Sequence, residues 1–301
     1  MNHAHHDHAA IDYNRAFALG VALNVLFVVV EAVYGVLADS LALLADAGHN
    51  LSDVLSLLLA WGASYLARRP PTRRRTYGLR RSTILASLLN AVILLVAVGA
   101  IGWEAIRRLG HPAPVATGTV IVVAGVGVVI NTATALLFLR GRHHDLNVQG
   151  AFLHMSADAA ISVGVVVAAL AIRSTGALWI DPAVSLVIAL AIALGTWGLF
   201  RDSMNLALDA VPPGIDPAAI ESWLRQIDGV ADVHDLHIWA MSTTETALTA
   251  HLVMPDAPAD DAFLHRIACE LHDHFHVEHT TLQIERGDIA HPCQLASGDR
   301  V

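Results

Sequence analysis

Six stretches of the chain, at roughly 16–38, 41–66, 83–106, 115–139, 147–172 and 178–200, are each apolar over the length needed to cross a bilayer. A spanning helix takes about 20 predominantly apolar residues to cover the hydrocarbon layer. Within that layer every backbone N–H and C=O must find a partner inside its own segment, so a lone apolar run has only the helix open to it. A mean hydropathy of +0.54 and a charged fraction of 15% exclude an ordinary soluble domain. The expectation is an α-helical membrane protein whose six transmembrane helices occupy residues 16–209.

Beyond residue 209 the composition changes. Residues 210–290 mix charges, prolines and histidines as a soluble domain does, and their pattern predicts helix 217–227, strand 232–240, strand 246–254, helix 258–275 and strand 279–285, with "STTET" as the turn between the first two strands. That order reads as a small α+β sandwich. Short tails, 1–15 and 291–301, complete the chain. The first tail carries "HAHHDH", a histidine-rich tract suited to loose metal binding or left by cloning; its deletion should barely alter activity. The N-terminal stretch lacks a basic region and a cleavage signal, so the first span is expected to stay in the membrane. The two cysteines, Cys269 and Cys293, make no CxxC pair and read as reduced bystanders.

Charge orients the spans. The segment "ARRPPTRRRTYGLRR" between spans two and three holds seven arginines, while the chain has no lysine. The positive-inside rule puts this loop in the cytoplasm, and six spans then put both termini there. Arg140 and Arg142 agree; Arg107, Arg108 and Arg173 run against the bias. Abundant alanine and arginine without lysine point to a GC-rich bacterium. The expected location is the cell inner membrane, crossed several times, with both termini cytoplasmic. Nothing in the sequence is a nucleic-acid-binding, kinase or effector motif.

Two spans carry residues that hydrocarbon should exclude: His49-Asn-Leu-Ser-Asp53 in the second and His154-Met-Ser-Ala-Asp158 in the fifth. An ionised aspartate at mid-bilayer costs about 2.5–3.5 kcal/mol on insertion scales. Residues i and i+4 lie on one helix face, so each HxxxD offers a nitrogen and an oxygen toward a common point. Two facing helices supply four ligands. Two carboxylates and two neutral imidazoles cancel the charge of a divalent ion and suit tetrahedral Zn²⁺. The competing reading makes each pair a self-satisfying hydrogen bond within its own helix. Repetition of the spacing in two spans, beside small neighbours (Ala47, Gly48, Ser52; Ser156, Ala157, Ala159) that permit close helix approach, favours the shared metal site.

Asp46, a turn before His49, stays open between a carboxylate at the mouth of the site or in a proton relay and one facing water near the span's end. Asn24, Glu31, Tyr34, Asn90 and Asn131 read as helix–helix hydrogen-bonding groups, with Glu31 a candidate for lining a water-filled cavity. Asp181 before Pro182 reads as a helix start.

In chain order, "SLALLADAGHNLSD", "YGLRR", "HMSADA" and "VHDLHIWAMS" resemble the signatures of the cation diffusion facilitator family, zinc-transporter branch, and the resemblance covers nearly the whole chain. It implies a homodimeric antiporter, not an enzyme, that expels Zn²⁺ from the cytoplasm in exchange for protons, with Cd²⁺ or Co²⁺ as further substrates. The transport site maps onto His49, Asp53, His154 and Asp158. Metal ligands bind deprotonated, which links ion binding to proton release, and histidine suits a proton carrier near neutral pH.

The resemblance further implies that residues 210–290 form a ferredoxin-like cytoplasmic domain that dimerises and holds zinc on His234, His251, His265 and Glu285. Gln283 stands where some members carry another histidine, against a two-metal version. Arg81 and Asp209 resemble a charge pair tying two protomers together. The loop between spans two and three has no histidine, so the further zinc site of some relatives is not expected there.

Strand parity sets His251 opposite Leu248, Leu252 and Met254, as a surface ligand would be. It sets His234 with Leu236 and Ile238, leaving ligand and buried hydrogen-bonded histidine both open. His237, beside Trp239, reads as structural. His272, His274, His276 and His279 suit a helix C-terminus and chelate at most weakly.

Partners on this reading are zinc ions, protons, the lipid bilayer and a second copy of the chain. Two other classes compete. A membrane metal sensor would relay occupancy through the C-terminal domain. An intramembrane metallohydrolase would need a water-activating glutamate beside the ligands, but no HExxH occurs and Glu31 and Glu104 lie in other spans.

Overall fold

The computed structural model describes residues 13–138, 146–256, 260–288, 293 and 295. The histidine tract, Arg140 and Arg142 lie outside the described residues, as does the side chain of Asn24. Six long helices come first: α1 (Tyr13–Leu37), α2 (Leu41–Ala67), α3 (Ser82–Gly110), α4 (Thr117–Phe138), α5 (Leu146–Thr175) and α6 (Ile180–Ala207).

Four of them, α3 to α6, contain a described stretch long and apolar enough to cross a membrane. In α1 the described apolar part is Val25–Leu37, and α2 interrupts its apolar run with Asp46, His49, Asn50 and Asp53. The surface matches a lipid solvent. Trp61, Val96, Trp103, Val129, Val187 and Leu194 are all more than half exposed, an amount of large apolar surface that water would penalise.

The chain forms two compact units, residues 1–58 with 90–197, and 59–89 with 198–301. The first is built around Leu43, Val98, Val120, Ala124, Val165 and Ile188. Small residues let its helices close up: a Cβ on Gly127 of α4 would sit 2.8 Å from the Phe27 ring and 3.2 Å from Ser162 Oγ, so α1, α4 and α5 meet there at backbone distance. The start of α2 is fixed from a distant part of the chain. Helix N-termini leave their first N–H groups without intrahelical partners, and here the Asp181 carboxylate accepts from Leu41 N–H at 2.8 Å and from Ser40 Oγ at 2.5 Å. Asp181 does open α6, as the sequence suggests, yet its carboxylate serves α2.

The second unit contains the C-terminal domain: α7 (Pro217–Arg225), β1 (Asp232–Ala240), β2 (Thr246–Val253), α8 (Asp261–Phe275) and β3 (His279–Glu285). Asp216 and Asp260 cap the two helices, each accepting a backbone N–H, which explains why α8 begins at 261 rather than 258. The sheet order is β1-β2-β3, with β1 antiparallel and β3 parallel to β2; the parallel pair needs the crossover that α8 provides. One sheet face packs Val233, Leu248 and Leu252 against Ile220 and Leu224 of α7 and Ile267 and Leu271 of α8. The result is a small α+β domain whose sheet has three strands among the described residues, against four in the βαββαβ pattern.

The arginine-rich loop belongs to this same unit. Arg80 forms an ion pair with Glu245, Thr243 N–H donates to Thr83 Oγ1 at 3.0 Å, and Tyr77 stands edge-on to His279 at 5.5 Å. Loop and C-terminal domain therefore contact each other within this unit. Arg81 and Asp209 pair with each other inside one chain, so this contact needs no second protomer.

Candidate metal centres

The HxxxD residues of α2 and α5 meet. His49 Nε2 lies 3.0 Å from Asp158 Oδ1 and His154 Nε2 lies 3.1 Å from Asp53 Oδ2, so each histidine faces the carboxylate of the other helix. Within α5 itself His154 and Asp158 are farther apart, 3.7 Å. This crossed pairing is not the intrahelical bond that the bland reading required. The imidazoles stand edge to face with centroids 6.0 Å apart, and one ligand atom from each of the four residues lies within 4.8 Å of the others. Two N and two O donors so placed fit one tetrahedral ion. Exposure is uneven: the Asp158 side chain is 1% exposed while His154 and Asp53 are 41% and 32% exposed.

A buried polar layer borders this cluster. Asp46 is fully buried and accepts from Ser162 Oγ of α5 at 2.8 Å, which removes the water-facing alternative. Glu31 of α1 is equally buried and accepts from Asn50 Nδ2 at 3.0 Å, one residue from His49. Asn90 donates to Ser56 Oγ at 2.7 Å, the helix–helix bond expected of it.

The second cluster sits on the C-terminal sheet. His234 and His251 are direct partners across β1 and β2, which puts their side chains on one face, with ring centroids 5.2 Å apart. Glu285 on β3 reaches both, Oε1 lying 3.0 Å from His251 Nδ1 and Oε2 3.4 Å from His234 Nε2. Parity counted along β1 misassigned His234 because the strand carries a bulge between His234 and His237. Four residues separate His234 from Ile238, but only three separate their partners, His251 and Leu248. One extra residue reverses the inside–outside alternation. Asp235 holds that bulge in a left-handed conformation, φ 52°, uncommon for a residue with a Cβ. Its carboxylate faces His251 Nε2 at 3.4 Å and His237 Nε2 at 2.9 Å, leaving His251 Nδ1 for the cluster.

His265 does not join this group. It lies on α8 two residues from the buried Phe263 and is exposed, because the α8 face formed by Phe263, Ile267 and Leu271 packs into the core and a residue two positions on points away. Its Nε2 faces Cys269 Sγ at 3.7 Å. The position near Glu285 is filled instead by Cys293, whose Sγ lies 3.5 Å from His251 Nδ1. His234, His251, Glu285 and Cys293 each place a ligand atom within 4.8 Å of the others. His234 Nε2 is buried and, apart from facing Glu285 Oε2 at 3.4 Å, makes no hydrogen bond among the described residues, although buried polar atoms are nearly always satisfied.

Burial would favour the neutral acid at Glu285, but the Cys293 thiol, the Gln283 amide and the two facing imidazoles hold its carboxyl below the usual glutamate range. Sequence reasoning missed Cys293, for which no spacing signal exists. His272 and His274 pair with their neighbours Asp273 and Glu270, His279 stands against Tyr77 of the arginine-rich loop, and His276 closes α8 as its left-handed cap.

Comparison with known proteins follows the same two-part division. Residues 17–206 match the family model of the cation efflux transmembrane domain, and residues 212–287 that of the cation efflux protein cytoplasmic domain. The chain is 36% identical over 292 residues to the cation efflux system protein CzcD of Alcaligenes sp. (strain CT14), covering 97% of this chain and 91% of the relative. It is 39% identical over 285 residues to the zinc transporter ZitB of Escherichia coli (strain K12), covering 94% and 90%. It is 32% identical over 290 residues to a cadmium, cobalt and zinc/H(+)-K(+) antiporter of Bacillus subtilis (strain 168), covering 95% and 92%.

Proposed function

This chain belongs to the cation efflux family, the cation diffusion facilitators, in its zinc-transporter branch, and we propose that it exports Zn²⁺ from the cytoplasm in exchange for protons. It is a multi-pass membrane transporter rather than an enzyme. The observation that carries the reading is the crossed pairing of His49 with Asp158 and His154 with Asp53.

Four ligands shared by two helices can bind an ion when α2 and α5 converge and release it when they part. Ligands must lose protons to take up metal, so the same four groups couple the two flows. Charge supports an even exchange: two carboxylates balance one Zn²⁺, and they also balance two protonated imidazoles, so the site stays neutral at mid-membrane in both conditions. Oxygen-rich sets suit Mn²⁺ or Mg²⁺, whereas two imidazoles favour Zn²⁺ with Cd²⁺ or Co²⁺ beside it.

In this reading all six long helices span the inner membrane, residues 16–209 form the transmembrane domain, and both termini are cytoplasmic. The domain at 210–290 is a ferredoxin-like cytoplasmic domain, lacking one edge strand among the described residues, and pairs with that of a second protomer. Its own metal, held by His234, His251 and Glu285, regulates transport to the extent that it binds the inward- and outward-facing states differently.

Proteoliposomes with an imposed pH gradient test the central step. Zinc uptake should follow the gradient and vanish in Asp53→Ala and Asp158→Ala, and uptake that survived both substitutions would remove the four-ligand assignment.

A further inference from the structure

The geometry points to the loop between α2 and α3 as a binding site for the head groups of anionic phospholipids, held by Arg68, Arg69, Arg73, Arg74 and Arg75. The inference rests on the reading that α2 and α3 span the membrane with this loop on the cytoplasmic side. It adds a ligand that neither metal cluster uses.

Three observations converge. The first is charge without an internal partner. No acidic residue occurs between Asp53 and Glu104, a stretch that contains seven arginines. Two of them are neutralised from elsewhere in the chain, Arg80 by Glu245 and Arg81 by Asp209. The other five are exposed, and none has a carboxylate partner among the described residues. Guanidinium groups gathered so closely repel one another unless an anion stands among them.

The second is that the loop is built to hold them. Thr72 and Arg75 exchange backbone hydrogen bonds at 2.9 and 3.0 Å, Thr72 Oγ1 accepts from Arg75 N–H at 3.1 Å, and Gly78 N–H donates to the Arg75 carbonyl at 2.9 Å. Gly78 takes φ 71°, and a Cβ there would stand 3.1 Å from the Arg69 carbonyl oxygen, so the loop folds back closely on itself. Arg73, Arg74 and Arg75 therefore sit on a closed turn. Their planar forks match phosphate oxygens two at a time.

The third selects lipid as the source of the anion. Both helices meet the loop with large apolar side chains exposed, Trp61, Tyr65 and Leu66 on α2 and Leu85 and Leu89 on α3. Tryptophan and tyrosine collect at the membrane–water boundary, and the Arg69 guanidinium lies over the Tyr65 ring, 5.5 Å from its centroid. The cations thus begin at the level of the aromatic belt, where anionic head groups attract basic residues. Tyr77 against His279 and Arg80 with Glu245 tie the same loop to the C-terminal domain, so a bound head group steadies that contact as well.

Native mass spectrometry of the full-length protein in detergent, titrated with phosphatidylglycerol and separately with phosphatidylcholine, tests the site. Phosphatidylglycerol should bind more tightly. The combined change Arg73→Gln, Arg74→Gln and Arg75→Gln should weaken it by about 100-fold, as expected for three basic residues at an anionic lipid surface, and leave phosphatidylcholine binding as it was. Arg173→Gln, an exposed arginine in the last turn of α5, should change neither.

Equal affinity for the two lipids in the unaltered protein would overturn the proposal without any variant. So would displacement of phosphatidylglycerol by inorganic phosphate at matched concentration, which would make this a site for free anions, or by polyglutamate, which would make it one for an acidic protein segment. An equal loss in Arg173→Gln would reduce the effect to diffuse charge and overturn it too. The placement of the loop is read apart from this, by a membrane-impermeant thiol reagent on intact cells carrying Arg74→Cys with Cys269→Ser and Cys293→Ser. Labelling from outside would sink the topology, whereas protection together with equal lipid affinities would sink the lipid site alone.

Discussion

The cluster between α2 and α5 and the cluster on the C-terminal sheet draw on the same residue types but hold them differently. In the membrane, each imidazole faces a carboxylate that is itself a candidate ligand on the other helix. The ligands satisfy one another, and metal replaces those bonds. On the sheet, Glu285 likewise faces both imidazoles, but His251 is in addition supported on its far nitrogen by Asp235, and Glu285 by Gln283, neither of which has to leave when a metal binds. Outer support that persists makes a site that retains its ion. Ligands that serve as their own partners, on two separable helices, make a site that can empty. On the proposed function, the difference between carrying and keeping an ion would lie in what stands behind the ligands.

The largest expected effect comes from breaking the membrane cluster. A structural zinc site is worth about 10–16 kcal/mol over four ligands, so Asp158→Ala should cost about 3 kcal/mol, or roughly 100-fold in zinc affinity. Vesicle uptake at low micromolar zinc should fall to background. His234→Ala in the same assay, at saturating zinc, should retain uptake; its complete loss would erase the division between carrying and keeping.

Next in size is the outer support. Asp235→Ala should weaken metal binding at the C-terminal domain by about 10–100-fold, measured by competition with a chelating dye, without changing binding in a variant whose only intact cluster is His49, Asp53, His154 and Asp158. Equal weakening at both clusters would contradict the separation.

A smaller effect is expected where helix placement alone is at stake. Asp181→Ala removes the acceptor for Ser40 and for the N-terminal N–H of α2. It should lower stability by about 1–2 kcal/mol, as the loss of a cap does, read as an earlier thermal transition in detergent. The smallest belongs to Arg81→Ala. The pair with Asp209 is about half exposed on both sides, so its loss should cost less than about 1 kcal/mol, and crosslinking between protomers should be unaltered. A lost crosslink would restore the inter-protomer role that the resemblance implied.

How much of this was legible beforehand follows from the kind of geometry involved. A helix repeats without interruption, so HxxxD already put a nitrogen and an oxygen on one face of each of two helices, while the meeting of the two faces is a matter of tertiary packing. The C-terminal strands were also placed almost to the residue, since alternation and turn residues mark them. What the pattern could not carry was the extra residue near Asp235, because a bulge breaks the period on which parity counting depends and moves His234 to the ligand face. Asp46 stayed undecided for a related reason: its burial depends on Ser162, 116 positions away. The same holds for Asp181 and the start of α2, 140 positions apart. Cys293 carried no local signal, and only proximity in space joins it to the histidines.

The most direct measurement is zinc K-edge X-ray absorption on the full-length protein with His234→Ala and His251→Ala, which leaves the α2–α5 cluster as the site to be read. The expected spectrum shows one zinc per chain with four nitrogen and oxygen neighbours at about 2.0–2.1 Å, two of them imidazoles by their outer-shell scattering, and the signal disappears in Asp53→Ala. A six-coordinate oxygen shell without imidazole, or a four-coordinate spectrum unchanged by Asp53→Ala, would contradict the account.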